Sequence, residues 1–200
     1  MQANRLLRIK GIPNNISGSY INLNTGLSVY FSAVEYSLNS PAGTSTLFVG
    51  SLSGNLYRVV NAHTTPEVTE ITGDEFPVGA ISSIAVGPSD DTLLVTFSNY
   101  GVSSVWQTYD GGASWVEKEA NLPDIPVRWA MYHPNSTSHA MLATELGVWT
   151  TSNMNEAETQ WVQDIEGLAN VRVDMLQMRL SDNTVIAATH GRGLATAVWD

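Results

Sequence analysis

Two carboxylates, three arginines and a tyrosine are the residues of this chain best suited to chemistry. Glu145 and Asp174 each fall at the end of a run in which apolar and polar residues alternate. Glycoside hydrolysis normally needs two such groups about 5 to 10 Å apart across one bond, one of them kept protonated by burial. A variant of that chemistry uses a tyrosine nucleophile and arginines that clasp a sugar carboxylate, roles for which Tyr100, Arg128, Arg172 and Arg192 have the right side chains. With His190 added, the same seven residues describe any polar surface that holds sugar hydroxyls or a peptide. None of them lies in a motif that forces catalysis, so recognition without turnover is the expectation, and Glu145 and Asp174 are the acids to test if the chain is a hydrolase.

Other chemistry is poorly served. The histidines at 63, 133, 139 and 190 lack metal-ligand spacing, and His133 before Pro134 reads as a turn residue. Asp90-Asp91 reads as a solvated turn in preference to a calcium loop. Gly191-Arg192-Gly193 precedes a strand where a dinucleotide fingerprint needs a helix. No metal and no cofactor is therefore expected. A net charge of -10 with only nine scattered Lys and Arg residues argues against nucleic acid, whose phosphates call for clustered cations. The absence of cysteine removes disulfide and thiolate chemistry. No apolar run approaches the roughly 20 residues of a membrane span, and the first eight residues lack the apolar stretch of a signal peptide.

What positions the candidate residues is a repeat. Thr144 and Thr189 stand 45 positions apart in similar surroundings, and Trp115 and Trp161 stand 46 apart. That period is close to the about 40 to 45 residues of a four-stranded propeller blade. Alternation and turn residues divide each unit into strands a to d. The second unit reads 82–86, 92–97, 104–109 and 115–119; the third reads 127–132, 140–144, 148–152 and 161–164. A looser first unit reads 29–36, 46–51, 55–61 and 68–71. The fourth supplies 173–180, 184–189 and 194–199 and then stops without a strand d. Conversely, residues 4–13 read as a lone outer strand, because Gly11-Ile12-Pro13 parallels Asn121-Leu122-Pro123. The expectation is an all-β propeller of four blade units, at about 14–79, 80–125, 126–170 and 171–200, with the displaced strand at 4–13. Either residues 6–9 pair with 194–198 and close a four-bladed ring, or the units are the last blades of a larger propeller.

The turn between strands c and d of the second unit is Thr108-Tyr109-Asp110-Gly111-Gly112-Ala113-Ser114-Trp115. Glycines that accept positive φ and an aspartate that can bond the backbone it turns over suit a tight hairpin. The pattern also resembles the Asp-box (BNR) repeat, Ser/Thr-x-Asp-x-Gly-x-Thr/Ser-Trp, of sialidase-like, xyloglucanase-like and sortilin-like β-propellers, with Thr108, Asp110, Gly112, Ser114 and Trp115 in its five defined positions. In those families the box is architectural and lies on the outer side of the ring. Thr151-Ser152-Asn153-Met154-Asn155 looks like a decayed copy with an insertion before Trp161. Over residues 80–200 the chain is most similar to propellers of large exported bacterial proteins labelled glycosyl hydrolase. The phenylalanine- or tyrosine-led Arg-Ile-Pro segment of sialidases is absent.

That resemblance favours the larger propeller, and it implies export: a secreted, cell-surface or periplasmic protein whose remaining blades lie elsewhere in the parent chain. In such a fold strand a lines the channel, and the b-to-c and d-to-a loops share a rim. It would carry Tyr100, Arg128, Glu145, Arg172, Asp174, His190 and Arg192, with Ser51, Ser53, Asn99 and Asp124. The implied function is a non-catalytic recognition or scaffolding module for a glycan or polypeptide. The alternatives are a glycoside hydrolase to which this part gives one wall of the cleft, and a propeller that chaperones an assembly.

Overall fold

Strands buried on both faces dominate the centre of the first three units, the clearest being Leu93–Phe97, in which every residue is buried. Such a segment is stable only between two other apolar sheets, and the chain supplies them in series. The computed structural model describes residues 4–10, 14, 16–23, 25, 26, 28–165, 167, 168 and 170–200. Their strands are β1 (Arg5–Lys10), β2 (Ser17–Asn22), β3 (Phe31–Tyr36), β4 (Thr46–Ser51), β5 (Leu56–Val60), β6 (Glu67–Glu70), β7 (Ile81–Val86), β8 (Leu93–Phe97), β9 (Val105–Thr108), β10 (Val116–Glu117), β11 (Val127–His133), β12 (Ser136–Thr144), β13 (Gly147–Thr151), β14 (Val162–Asp164), β15 (Val173–Arg179), β16 (Thr184–Thr189) and β17 (Gly193–Val198). They form antiparallel sheets β1-β2, β3 to β6, β7 to β10, β11 to β14 and β15 to β17. This is the meandering sheet order of a β-propeller, and no described residue is in an α-helix. Among those residues, therefore, no helix is long and apolar enough to cross a membrane.

Four apolar clusters fill the four gaps between successive sheets. The hairpin β1-β2 gives Leu6 and Ile21 to Val49 and Val59 of the first blade. Phe48 and Leu56 meet Ile81, Ile84, Leu93 and Val95 of the second. Ala85, Leu94 and Val105 meet Ala130, Tyr132 and Leu142 of the third, and Met141, Ala143 and Val148 meet Val173, Leu176 and Val185 of the fourth. Within the second gap between blades, the Tyr132 hydroxyl accepts a bond from Gln107 Nε2 at 2.8 Å.

Each strand a begins with a bulge, and the bulges recur at equivalent positions. The extra residues are Ser32, Ser82, Arg128 and Asp174, each falling where the register shifts by one. A bulge re-aims a side chain that regular pairing would hold across the sheet. Ser32 Oγ donates to the Ile81 carbonyl at 2.7 Å, and Ser82 Oγ donates to the Val127 carbonyl at 2.6 Å. Neighbouring blades are thereby pinned at their innermost strands.

The leading strand departs from expectation. β1 is not a lone strand: it pairs along its length with β2, Leu6 opposite Ile21 and Arg8 opposite Ser19. The serine-rich β2 carries little strand signal, but the short loop makes this pairing entropically cheaper than reaching the far end of the chain. The pairing of 6–9 with 194–198 that a closed four-bladed ring calls for is not formed, and β17 is hydrogen-bonded to β16 alone among the described strands. The Gly11-Ile12-Pro13 parallel lies outside the described residues.

Gly50 faces the next blade so closely that an added Cβ would lie 2.5 Å from Ile81 Cγ2. Replacing Gly50 by Ala should overpack the gap between first and second blades and cost about 1 to 3 kcal/mol, read as a lower urea midpoint with an unchanged slope.

Candidate functional site

The repeat brings five of the seven predicted rim residues together. In each blade the residue after strand b bonds the carbonyl before strand a: Leu52 N to Tyr30 O at 2.9 Å, Ser98 N to Ala80 O at 3.2 Å, Glu145 N to Pro126 O at 3.1 Å and His190 N to Arg172 O at 2.8 Å. These clasps place the b-to-c loop beside the bulge of its own blade. In the third and fourth blades the clasped residues are Glu145 and His190 and the bulged ones Arg128 and Asp174, and they meet across the gap between blades.

Arg128 grips Glu145 Oε2 with Nε at 3.0 Å and Nη2 at 2.6 Å. The same Arg128 Nε stands 3.9 Å from Asp174 Oδ1, which Arg172 Nε holds at 2.6 Å. His190 Nδ1 lies 3.7 Å from the other oxygen of Asp174. The result is an ion network that alternates in sign over two blades, with side chains partly open to solvent. Hydrogen bonds in which both partners are charged are the stronger kind, so the network is a pre-organised set of donors and acceptors.

Glu145 and Asp174 both approach one nitrogen of Arg128, at 3.0 and 3.9 Å, which puts these carboxylate oxygens within about 7 Å of each other. That separation suits a hydrolase, but the surroundings do not: a general acid needs a protonated carboxyl in a dry pocket, whereas both acids here are ion-paired and have side chains 29% and 39% exposed.

The remaining rim residues take other parts. Among the described residues, no hydrogen bond or ion pair joins the Tyr100 side chain to this network, and none joins that of Arg192; both lie exposed on the b-to-c loops of the second and fourth blades. Asn99 Oδ1 accepts from Ala80 N at 2.7 Å, and Asp124 Oδ1 accepts from Gly101 N at 2.6 Å. Ser51 and Ser53 hydrogen-bond each other at 3.1 Å. In the first two blades the rim side chains thus hold loops in place, whereas in the last two they present charge.

The turn at 108–115 is knitted by its own side chains, as its composition predicts. Asp110 Oδ1 accepts from Ser114 N at 2.9 Å and from Thr108 Oγ1 at 2.7 Å, and Oδ2 accepts from Ser114 Oγ at 2.6 Å. These bonds, those from Ser114 foremost, pull the Asp110 carboxyl down to about 2. Gly112, at φ 92°, crosses so near Ile71 that a Cβ would meet it at 2.7 Å, and Trp115 Nε1 donates to the Ile71 carbonyl at 3.0 Å. The turn therefore locks its blade to the preceding one. The third blade repeats the device in altered form: Thr151 Oγ1 bonds Asn153 Oδ1 at 2.7 Å, Gln160 N replaces the serine amide at 2.9 Å, and Trp161 Nε1 donates to Lys118 O at 2.8 Å.

Sequence reasoning missed the opposite end of the channel. A groove of about 730 Å³ is lined there by the far ends of strand a and the a-to-b turns of all four blades, including Glu35, Leu38, Pro88, His133 and Leu180. Burial raises the Glu35 carboxyl above its ordinary value. His133 closes its turn by accepting from Asn135 N at 3.2 Å, and its ring stands edge-on to Trp199 at 5.1 Å. No motif marks these residues; only their recurrence at the end of strand a, 45 to 50 residues apart from Leu38 to Pro88 to His133 to Leu180, could have gathered them.

No protein-family model matches the sequence, and no curated protein matches it. Solved structures do. The chain is similar to the β-propeller domain of Myceliophteria thermophila Cps50 (Swd1), at 15% identity and a TM-score of 0.61, over 85% of this chain and 52% of that one. It is similar also to the Niastella koreensis GH74 enzyme, at 19% identity and a TM-score of 0.58, over 97% of this chain and 33% of that one. The chain thus spans about half and a third of their lengths, and at these identities the likeness establishes the propeller fold alone.

Because Asp110 is held below its unfolded value, its contribution to stability is full above about pH 4 and disappears as pH falls through about 2. Asp110→Ala should lower the melting temperature at pH 7, and the difference from wild type should shrink steadily between about pH 4 and 2 in a calorimetric series.

Proposed function

We propose that this chain is a non-catalytic recognition module, part of a larger exported protein, that binds a glycan or polypeptide on the rim formed by its b-to-c and d-to-a loops. The observation that carries the reading is the network of Arg128, Glu145, Asp174, Arg172 and His190, in which two blades contribute alternating donors and acceptors within 2.6 to 3.9 Å. Sugar hydroxyls and peptide groups both need paired donors and acceptors, and a surface that already satisfies its own charges exchanges hydrogen bonds at low desolvation cost. Tyr100 and Arg192, exposed on neighbouring loops, extend the surface. The Asp-box resemblance of the 108–115 turn fits a propeller of exported proteins and gives that turn an architectural part.

The test uses the longest available form of the protein on glycan arrays and peptide libraries, with a polysaccharide and sialoside panel for turnover. Retention without sugar release is expected. Arg128→Ala, which unclasps Glu145 and leaves Asp174 to Arg172 alone, should weaken retention at least about tenfold, the scale of one charged hydrogen bond lost. Glu145→Gln and Asp174→Asn should each keep measurable binding. Sugar release that falls about 10²-fold or more in either of those two variants would replace this reading with the hydrolase one.

A further inference from the structure

Counted on from its bulge by the same number of residues, strand a of blades one to four carries Glu35, Ala85, Met131 and Gln177. These stand opposite Phe48, Leu94, Met141 and Ile186 of strand b, on the face turned toward the following blade. Ala85 is buried there, and Met131 packs against the cluster beyond it. Glu35 alone of the four is charged. It is half-buried, and among the described residues neither a hydrogen bond nor an ion pair reaches its carboxylate. Desolvation is accordingly what raises its pKa. A carboxylate taken partly out of water without a partner lowers stability, and natural sequences break such rules chiefly at functional sites.

The surroundings of Glu35 define the missing partner. It lines the far-end groove of about 730 Å³, a volume within the about 300 to 1,000 Å³ of ligand pockets. Leu38, Leu180 and Tyr36 stand on the same groove with exposures of 83%, 65% and 47%, and Pro88 adds to its apolar lining. No lysine or arginine is among the lining residues. An occupant that satisfies this groove brings a cation together with apolar surface. A neutral glycan offers no cation for Glu35. Nucleic acid and an anionic membrane bring the wrong sign of charge to a chain of net charge -10. A peptide with lysine or arginine near a large apolar residue brings both, and the stem of either cation is itself apolar. Asn135, whose side-chain amide has no partner among the described residues, offers a donor and an acceptor to the peptide main chain.

We propose that this groove is a second recognition site, for a polypeptide segment in which a lysine or arginine lies close to a large apolar side chain. The cation pairs with Glu35, and the apolar group rests on Leu38, Leu180 and Tyr36. The site lies at the opposite end of strand a from Arg128 and its partners, and it does not depend on what that rim binds.

The longest available form of the protein is screened on a bead library of acetylated, amidated octapeptides, with the Arg128→Ala variant screened in parallel. Both proteins should enrich sequences that set Lys or Arg a few positions from Leu, Ile or Phe. With a selected peptide, replacing its cation by norleucine should weaken binding at least about tenfold, and so should Glu35→Gln in the protein. The two changes together should cost little more than either alone, because they remove the same ion pair. Leu180→Asp, an exposed substitution, should also weaken binding at least about tenfold. Glu35→Gln should leave the urea midpoint equal or higher, since the carboxylate has no partner to lose. No enrichment, enrichment of neutral or acidic sequences, enrichment lost in Arg128→Ala, binding indifferent to Leu180→Asp, additive losses from Glu35→Gln and norleucine, or a lower midpoint in Glu35→Gln would each overturn the inference.

Discussion

A sheet apolar on both faces cannot stand against water, and this requirement governs the whole chain. Burial of apolar surface is worth about 25 cal/mol per Å², so each blade is stable only when sheets lie before and behind it. The fold answers with a row of sheets whose gaps are filled by four separate apolar clusters rather than one central core. Large residues such as Phe48 and Leu94 fill the middle of a gap, while Gly50 yields to Ile81 where strands approach most closely.

Stacked faces alone would let blades slide, so polar contacts at the inner and outer ends fix their setting. At the inner end the bulged serines reach the next strand a by single hydrogen bonds. At the outer end Trp115 and Trp161 reach back to carbonyls of the preceding blade, held by turns that satisfy their own donors. The charged site grows from the same device. Where the third and fourth blades place Arg128 and Asp174 at the bulge instead of serine, a structural pin becomes an ion network open to solvent. Its position follows from the repeat, and its chemistry from two substitutions within it.

The two ends of the channel are chemically different. Strand a runs along the inner side of the blades for about 20 Å, given roughly 3.3 Å per residue, and separates a charged rim at its start from an apolar groove at its end. The groove joins Leu38, Pro88 and Leu180 from different blades with the half-buried Glu35. Loops on a rigid scaffold vary at little cost to the fold, so one architecture can present two unlike surfaces.

Sequence by itself determined the strands of the four blade units, their order and the period, because alternation and turn residues act over a few neighbours and recur four times; it did not find β2, which lacks that alternation. It also determined the 108–115 turn, in which the hydrogen bonds that Asp110 accepts all come from within the turn. It named the rim residues but not their meeting: Arg128, Glu145 and Asp174 are 17 to 46 positions apart, and only the clasp between b-to-c loops and bulges brings them together. Tertiary structure alone decided three further points. It paired β1 with β2, because a nearby serine-rich partner is reached with less loss of chain entropy than a distant apolar one. It gathered the groove from residues that share no local pattern. It left Val34 and Ile186 exposed although their counterparts in other blades, such as Ile84 and Phe48, are buried, because burial depends on which sheet lies alongside and no single strand encodes that.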